Sequence, residues 1–349
     1  MGSHSDAGKA APYDLHDQPR AEAVRQPSVP PPSVKPPPVL LGGKYEPVAP
    51  AGEGGMASVW LGYTHGEAGF RRRVAIKRVL RHLASDAKFE RMFVDEAHTV
   101  AELNHPNIAQ IHDFGRDSEG GYFIVMEWVS GLNLAEYVRA HALVNRAPPW
   151  PLAAAIAIEV LRALSAAHLR TNNSGRAAPI IHRDVTPANI MVGFNGCVKL
   201  TDFGLSRVFD RPGTTDPNTV KGKIAYMAPE LFDRAKPDAR CDLFSVGVTL
   251  WESLTARRLF GGPGTDVDAA LRVLEGHVPD LQMIRPEIPD ALEDIVTRAL
   301  ARAPSDRFQR ATDMIDALSA VLRANGTPTD GPAIAQSARE AGDFLLEHG

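Results

Sequence analysis

The sequence predicts an α+β protein of two lobes, a small β-rich one followed by a larger, mainly helical one. Three observations carry this. Between Tyr45 and Ser130 the chain reads as short apolar runs broken by turns, with one helical stretch among them. After Gly131 the apolar spacing becomes helical over most of the remaining length. Ahead of both, residues 1–43 are rich in Pro, Ala, Ser and charge and have too little apolar content to fold alone.

The elements follow in order. "PPPSVKPPP" favours extended polyproline II, either as a flexible arm or as a ligand for an SH3-like partner. "YEPVAPAGEGGMASVWLGYT" reads as strand, glycine turn, strand, and "FRRRVAIKRVL" as a third strand. In "SDAKFERMFVDEAHTVAELN", Ser85 can cap a helix on which Phe89, Phe93, Ala97, Val100 and Leu103 share a face. "IAQIHDFG" and "YFIVMEWV" complete a five-stranded first lobe, 44–130. The second lobe, 131–323, carries helices near 133–142, 151–170, 240–256, 266–277, 289–301 and 310–323, with short strands near 190–194 and 197–201. The tail, 324–349, is expected to be flexible apart from a short amphipathic segment. There Ile334, Ala338, Ala341, Phe344 and Leu345 make one apolar stripe, as a docking helix or as a frayed end.

Composition excludes several function classes. A chain of 349 residues with net charge −4 gives no electrostatic footprint for nucleic acid or an anionic membrane. Cys197 and Cys241 form neither a disulfide framework nor a zinc spacing, which favours a reducing, cytoplasmic setting. No apolar run reaches the roughly 18 residues of a membrane span. "PLAAAIAIEVLRALSAAHL" is interrupted by Glu159 and Arg162 and reads as a buried amphipathic helix. The N-terminus shows no apolar signal core, and "MGSHSD" lacks the hydroxyl residue of a myristoylation signal. A membrane role would have to come through a partner.

The residues that carry chemistry lie in separate short motifs. "GEGGMASV", from Gly52 to Val59, is a glycine turn whose backbone N–H groups can approach phosphate. "VAIK" ends at Lys77, on the next strand, within reach of such phosphates. "HRD" (182–184), Asn189, "DFG" (202–204) and "APE" (228–230) follow. Each is weak alone, and their order makes coincidence negligible. Together, over residues of about 44 to 323, they resemble a bacterial Hanks-type, or eukaryotic-like, serine/threonine protein kinase.

The resemblance implies a bilobal protein-kinase fold, and ATP and Mg²⁺ as cosubstrate and metal, with Mn²⁺ as an alternative ion. It implies protein substrates that accept phosphate on Ser or Thr. Gly52, Glu53, Gly54 and Gly55 would cover the phosphates. Lys77 would hold them and pair with Glu96. Asp184 would orient the acceptor hydroxyl and take its proton. Asn189 and Asp202 would bind the metal. Val59, Ala75 and Met191 would sandwich adenine, Met126 would gate the pocket behind it, and Glu127 to Val129 would form the hinge. His182, Phe203, Val100 and Ile111 resemble the apolar stack joining the lobes. Asp242 resembles the anchor of the catalytic loop, and Glu230 with Arg307 a buried ion pair.

Three departures stand out. Ala57 replaces the third glycine. "RTNNSGRAAP" is an extra turn-rich insertion ahead of the catalytic loop. Thr186 replaces the lysine usual two residues after the aspartate, while Lys223, in "KGKIAYMAPE", stands where the family usually has a threonine. Against the family pattern the two residues are exchanged, which implies that Lys223 would restore the charge and Thr186 would supply the hydroxyl. The alternatives are a solvated Lys223 and a pseudokinase acting as a nucleotide-binding scaffold. A small-molecule phosphotransferase is argued against by "APE" and the long segment before it. Arg183 is expected to await a phosphate on Thr214, Thr215 or Thr219, with Ser206 less suited, which suggests self-association for phosphorylation in trans. Pro187 and Ala188 fit Ser/Thr rather than Tyr acceptors.

Overall fold

The first sheet is built by period-two alternation. In the computed structural model the described residues are 40–53, 57–79, 94, 97–118, 120–172, 174–203, 222–233, 236–262 and 264–348. Strands β1 (Tyr45–Glu53), β2 (Ala57–His65), β3 (Arg71–Val79), β4 (Ile111–Arg116) and β5 (Tyr122–Glu127) form one antiparallel sheet in the order β1-β2-β3-β5-β4. On β3, Val74 and Ile76 face a cluster with Tyr45, Phe123 and Val125. Ala75 and Val79 face the other way, against Ala97, Tyr122, Ile124 and Met126. Lys77, two residues from Ala75, therefore shares the side that faces the interior of the molecule. Residues 97–101 are helical. Ser85, Phe89 and Phe93, read as part of that helix, lie outside the described residues.

A second sheet, β6 (Gly131–Asn133), β7 (Ile190–Gly193) and β8 (Val198–Leu200), is antiparallel in the order β6-β7-β8. At Gly131 an added Cβ would stand 2.2 Å from the Val192 carbonyl oxygen, so only glycine lets the two strands close here. Strand β6 lies where the sequence suggested the approach to a helix. It exists because pairing with β7 outweighs the weak β propensity of "GLN".

The helices are α1 (Leu134–Ala142), α2 (Trp150–His168), α3 (Ala239–Thr255), α4 (Asp266–Glu275), α5 (Leu281–Ile284), α6 (Asp290–Ala299), α7 (Ala311–Asn325) and α8 (Gly331–His348). Asn133 and Glu136 form a capping box that starts α1, and left-handed Gly276 and Gly326 end α4 and α7. Helix α2 packs against α3 and α7 in the core. Among the described residues it is the one helix long and apolar enough to cross a membrane, and 78% of its apolar window is buried inside the protein. The insertion at 170–179 lies at the surface around a turn whose hydrogen bonds converge on Asn172. Helix α5, unforeseen, is a single turn capped by Asp280.

The tail departs from the flexible segment expected. Helix α8 runs 18 residues and buries Ile334, Ala335, Ala338, Ala341 and Gly342 against α1, β6, β7 and α2. Of the two readings of its apolar stripe, the docked helix is the one observed. Phe344 and Leu345 pack partly buried against the same core.

Candidate active site

The loop between α2 and β7 is fixed from below by one buried carboxylate. Asp242, on α3 and fully buried, accepts from the backbone N–H of His182 at 2.8 Å and of Arg183 at 2.7 Å. His168 Nε2 lies 2.8 Å from the same group. Burial alone would raise the Asp242 pKa. The hydrogen bond and charge of His168, with His182, outweigh that and hold it below the ordinary carboxylate value. Those bonds stabilise Arg183 in a left-handed conformation, φ 64°.

His182 acts as a spacer. Its Nε2 donates to the Thr201 carbonyl at 2.9 Å, which leaves Nδ1 to accept from the Asp184 N–H at 3.2 Å. Its ring meets Phe203 edge-on at 4.5 Å. Val100 and Phe203 belong to one buried cluster, with Ile111 packed against it, so the apolar stack read from the sequence is assembled.

Asp184 sits above this base. Asn189 Nδ2 donates to its carboxylate at 3.1 Å and to its carbonyl at 2.8 Å, and Lys223 Nζ lies 2.5 Å from Oδ2. Asn189 uses its amide hydrogens on Asp184, so its carboxamide oxygen keeps its lone pairs for a cation. Thr186 is buried, and its carbonyl accepts the Asn189 N–H at 3.0 Å. Asp202, left-handed with φ 59°, pairs through Oδ1 with Lys77 Nζ at 2.7 Å. Burial alone would raise its pKa. The Lys77 charge and hydrogen bond, followed by Lys223 and His182, hold it below the usual range.

The residues read as enclosing adenine lie on both sheets. Across β3 and β5 Ala75 pairs with Met126, and Val59, opposite Lys77 on β2, packs on their cluster. Gly52 and Glu53 pair with Val59 and Ser58 at the end of β1. Met191 lies half-buried on β7, opposite Asn133 and Lys199. The Glu127 N–H donates to the Gln110 carbonyl at 2.9 Å, and its carboxylate meets Lys199 Nζ at 2.9 Å. Gly54, Gly55, Glu96, Ser206, Thr214, Thr215 and Thr219 lie outside the described residues. The site thus brings together Lys77, Asp184, Asn189, Asp202 and Lys223. Lys199 and His168 are missed by sequence reasoning, because a strand lysine and a helix-end histidine carry no signal before their partners are known.

Below the site, Arg307 is fully buried and meets Glu230 through both terminal nitrogens, at 2.8 and 2.7 Å. Among the described residues no group of three or more His, Cys, Asp or Glu gathers as a metal centre. One carboxylate and one carboxamide oxygen suit Mg²⁺ well, since that ion takes few protein ligands beside phosphates and water.

Comparison with known proteins agrees with this geometry. The protein kinase domain family matches residues 45–318. The tyrosine-protein kinase MasK of Myxococcus xanthus is 38% identical over 280 residues, covering 80% of this chain and 43% of that protein. The serine/threonine-protein kinase PrkC of Bacillus subtilis is 33% identical over 276 residues, covering 78% of this chain and 40% of that protein. The chain therefore spans about two fifths of these relatives' length. The crystal structure of the Mycobacterium tuberculosis PknI kinase domain superposes with a TM-score of 0.60 at 28% identity, covering 81% of this chain and 96% of that one.

Proposed function

Since the chain belongs to the protein kinase family, we propose that it transfers the γ-phosphoryl group of ATP to Ser or Thr hydroxyls of proteins. The observation that carries this is the setting of Asp184, whose carboxylate is held by Asn189 and by Lys223 at 2.5 Å. A carboxylate so oriented aligns an acceptor hydroxyl and takes its proton, while the adjoining ammonium offsets charge on the transferred group. Lys77 holds the nucleotide phosphates. Asp202 and Asn189 hold Mg²⁺, or Mn²⁺ in its place. The ion, when bound, neutralises charge on the phosphates. Ala75, Val59 and Met191 enclose adenine, with Met126 behind it and the Glu127–Val129 backbone along its edge. Gly52 to Gly55 cover the phosphates, and Glu96 orients Lys77.

Lys223 takes the part of the lysine missing at Thr186. Its side chain is 47% exposed, and what supports the role is that its ammonium is nevertheless paired with the buried Asp184 carboxylate. The names of MasK and PrkC differ on the acceptor, and Pro187 and Ala188 favour Ser/Thr here. The same proposal includes activation through Thr214, Thr215 or Thr219 by self-association. It also includes a cytoplasmic setting, supported by free Cys197 and Cys241.

Autophosphorylation with labelled ATP and Mg²⁺ tests the reading, comparing wild type with Asp184→Asn and hydrolysing the product to amino acids. Phosphoserine or phosphothreonine in wild type only is the expected result. Phosphotyrosine alone would overturn the acceptor assignment, and no label would overturn the activity.

A further inference from the structure

Helix α8 lies beyond the family match, which ends at residue 318, and it is seated on the elements that leave the hinge. Its N-terminus meets the turn between β7 and β8, where a Cβ on Gly196 would stand 1.9 Å from the Gly331 carbonyl oxygen. Further along, a Cβ on Gly342 would stand 2.9 Å from the Phe194 ring. Arg339 Nη1 donates to the Phe194 carbonyl at 2.5 Å. The Phe194 N–H in turn donates to the Ser130 carbonyl at 2.9 Å, and Ser130 directly follows the hinge. Trp128, within the hinge, donates from Nε1 to Ser130 Oγ at 3.2 Å. A second grip falls on α1, where Tyr137 Oη and Ser337 Oγ are 2.7 Å apart.

These contacts converge. One chain of hydrogen bonds runs from Arg339 through Phe194 and Ser130 to Trp128, and the other seizes the helix that starts where β6 ends. The approach at Gly196 needs glycine, because a Cβ there would meet backbone at 1.9 Å with φ +86°, and the contact at Gly342 is close against the Phe194 ring, so the helix sits backbone-close on its seat. We propose that α8 is a brace for the hinge, and that its docking sets the affinity of the site for nucleotide. The inference rests on the reading of 127–129 as the adenine-binding segment. Whatever holds or releases α8 then acts on ATP binding without touching the catalytic loop. The coupling runs both ways: nucleotide binding protects α8 as much as α8 favours nucleotide.

The test uses the full chain and three variants. Ala338→Glu places a carboxylate on the buried face and undocks the helix. Arg339→Ala, at an exposed position, removes only the bond to Phe194. Arg339→Lys keeps a donor. Calorimetric titration with a non-hydrolysable ATP analogue and Mg²⁺ reads affinity apart from turnover, and hydrogen exchange reads α8 and residues 128–130. Ala338→Glu is expected to weaken binding about fivefold or more, the low end of couplings between sites, with faster exchange in both segments. Arg339→Ala moves the same way to a smaller extent, and Arg339→Lys regains part of the loss. Unchanged affinity with α8 unprotected would overturn the brace. If Ala338→Glu does not fold, unchanged affinity and hinge exchange in Arg339→Ala do the same. A wild-type chain that binds no nucleotide defeats the kinase reading instead, and hinge exchange alone then decides the brace.

Discussion

At the scale of single residues, the proposed exchange between Thr186 and Lys223 has direct consequences for turnover. Lys223 Nζ lies 2.5 Å from the Asp184 carboxylate, where its ammonium would replace the charge absent at Thr186. Lys223→Thr is expected to lower kcat by about 10²–10³, the usual loss when one preorganised donor is removed. Adding Thr186→Lys should recover at least about tenfold of that loss, because the ammonium returns beside the same carboxylate. Initial rates at saturating ATP read both, and a double variant no better than the worse single one defeats the exchange. Much at this scale was legible: Lys77, Asp184, Asn189 and Asp202 meet because motif order places them on β3, one loop and the end of β8. The left-handed backbones of Arg183 and Asp202 were not legible, since arginine gives no sign of φ above zero and aspartate, though it tolerates that region better than most residues, adopts it only in some settings. They follow from what surrounds them, with Asp242 beneath the one and the ion pair with Lys77 on the other.

At the scale of elements, the ion pair between Glu230 and Arg307 ties the turn that starts at Pro229 to the loop before α7. Arg307 also donates to the carbonyls of Ala301 at 2.7 Å and Arg302 at 2.9 Å, so its guanidinium has no water to fall back on. Arg307→Met should destabilise the protein by about 3–5 kcal/mol, most of it from the Glu230 carboxylate left behind. Urea unfolding monitored by tryptophan fluorescence measures this, and a loss below about 1 kcal/mol, the range of surface pairs, would contradict it. Strands with clear alternation and helices with apolar spacing were readable from the chain. Strand β6 and the one-turn α5 were not, because each owes its form to neighbours rather than to its own few residues. The docking of α8 was visible only as a stripe without a surface to receive it.

At the scale of the whole molecule, Val100, Ile111, Phe203 and His182 form one stack, and Asp242, which accepts the His182 N–H beneath it, sets a pH response. Asp242 is held below its ordinary value in the folded chain, so it contributes stability at neutral pH. That contribution is present above the unfolded value of about 4 and is lost as pH falls through the folded one. Asp242→Asn should therefore melt lower than wild type at pH 7 and lose less on further acidification. Calorimetric scans from pH 7 to about 3 check it, and parallel curves would contradict it.

The seating of α8 also bears on how the protein should be cut. The family match stops at residue 318, inside α7, which runs to Asn325. A gene fragment ended there would lose the last turns of one core helix and all of another, baring Tyr137, Phe194 and the face that Ile334 covers. Such a fragment would be expected to aggregate on expression, and a screening campaign run on it would sample a pocket whose rear support had been removed. Ending the reading frame after His348 keeps both.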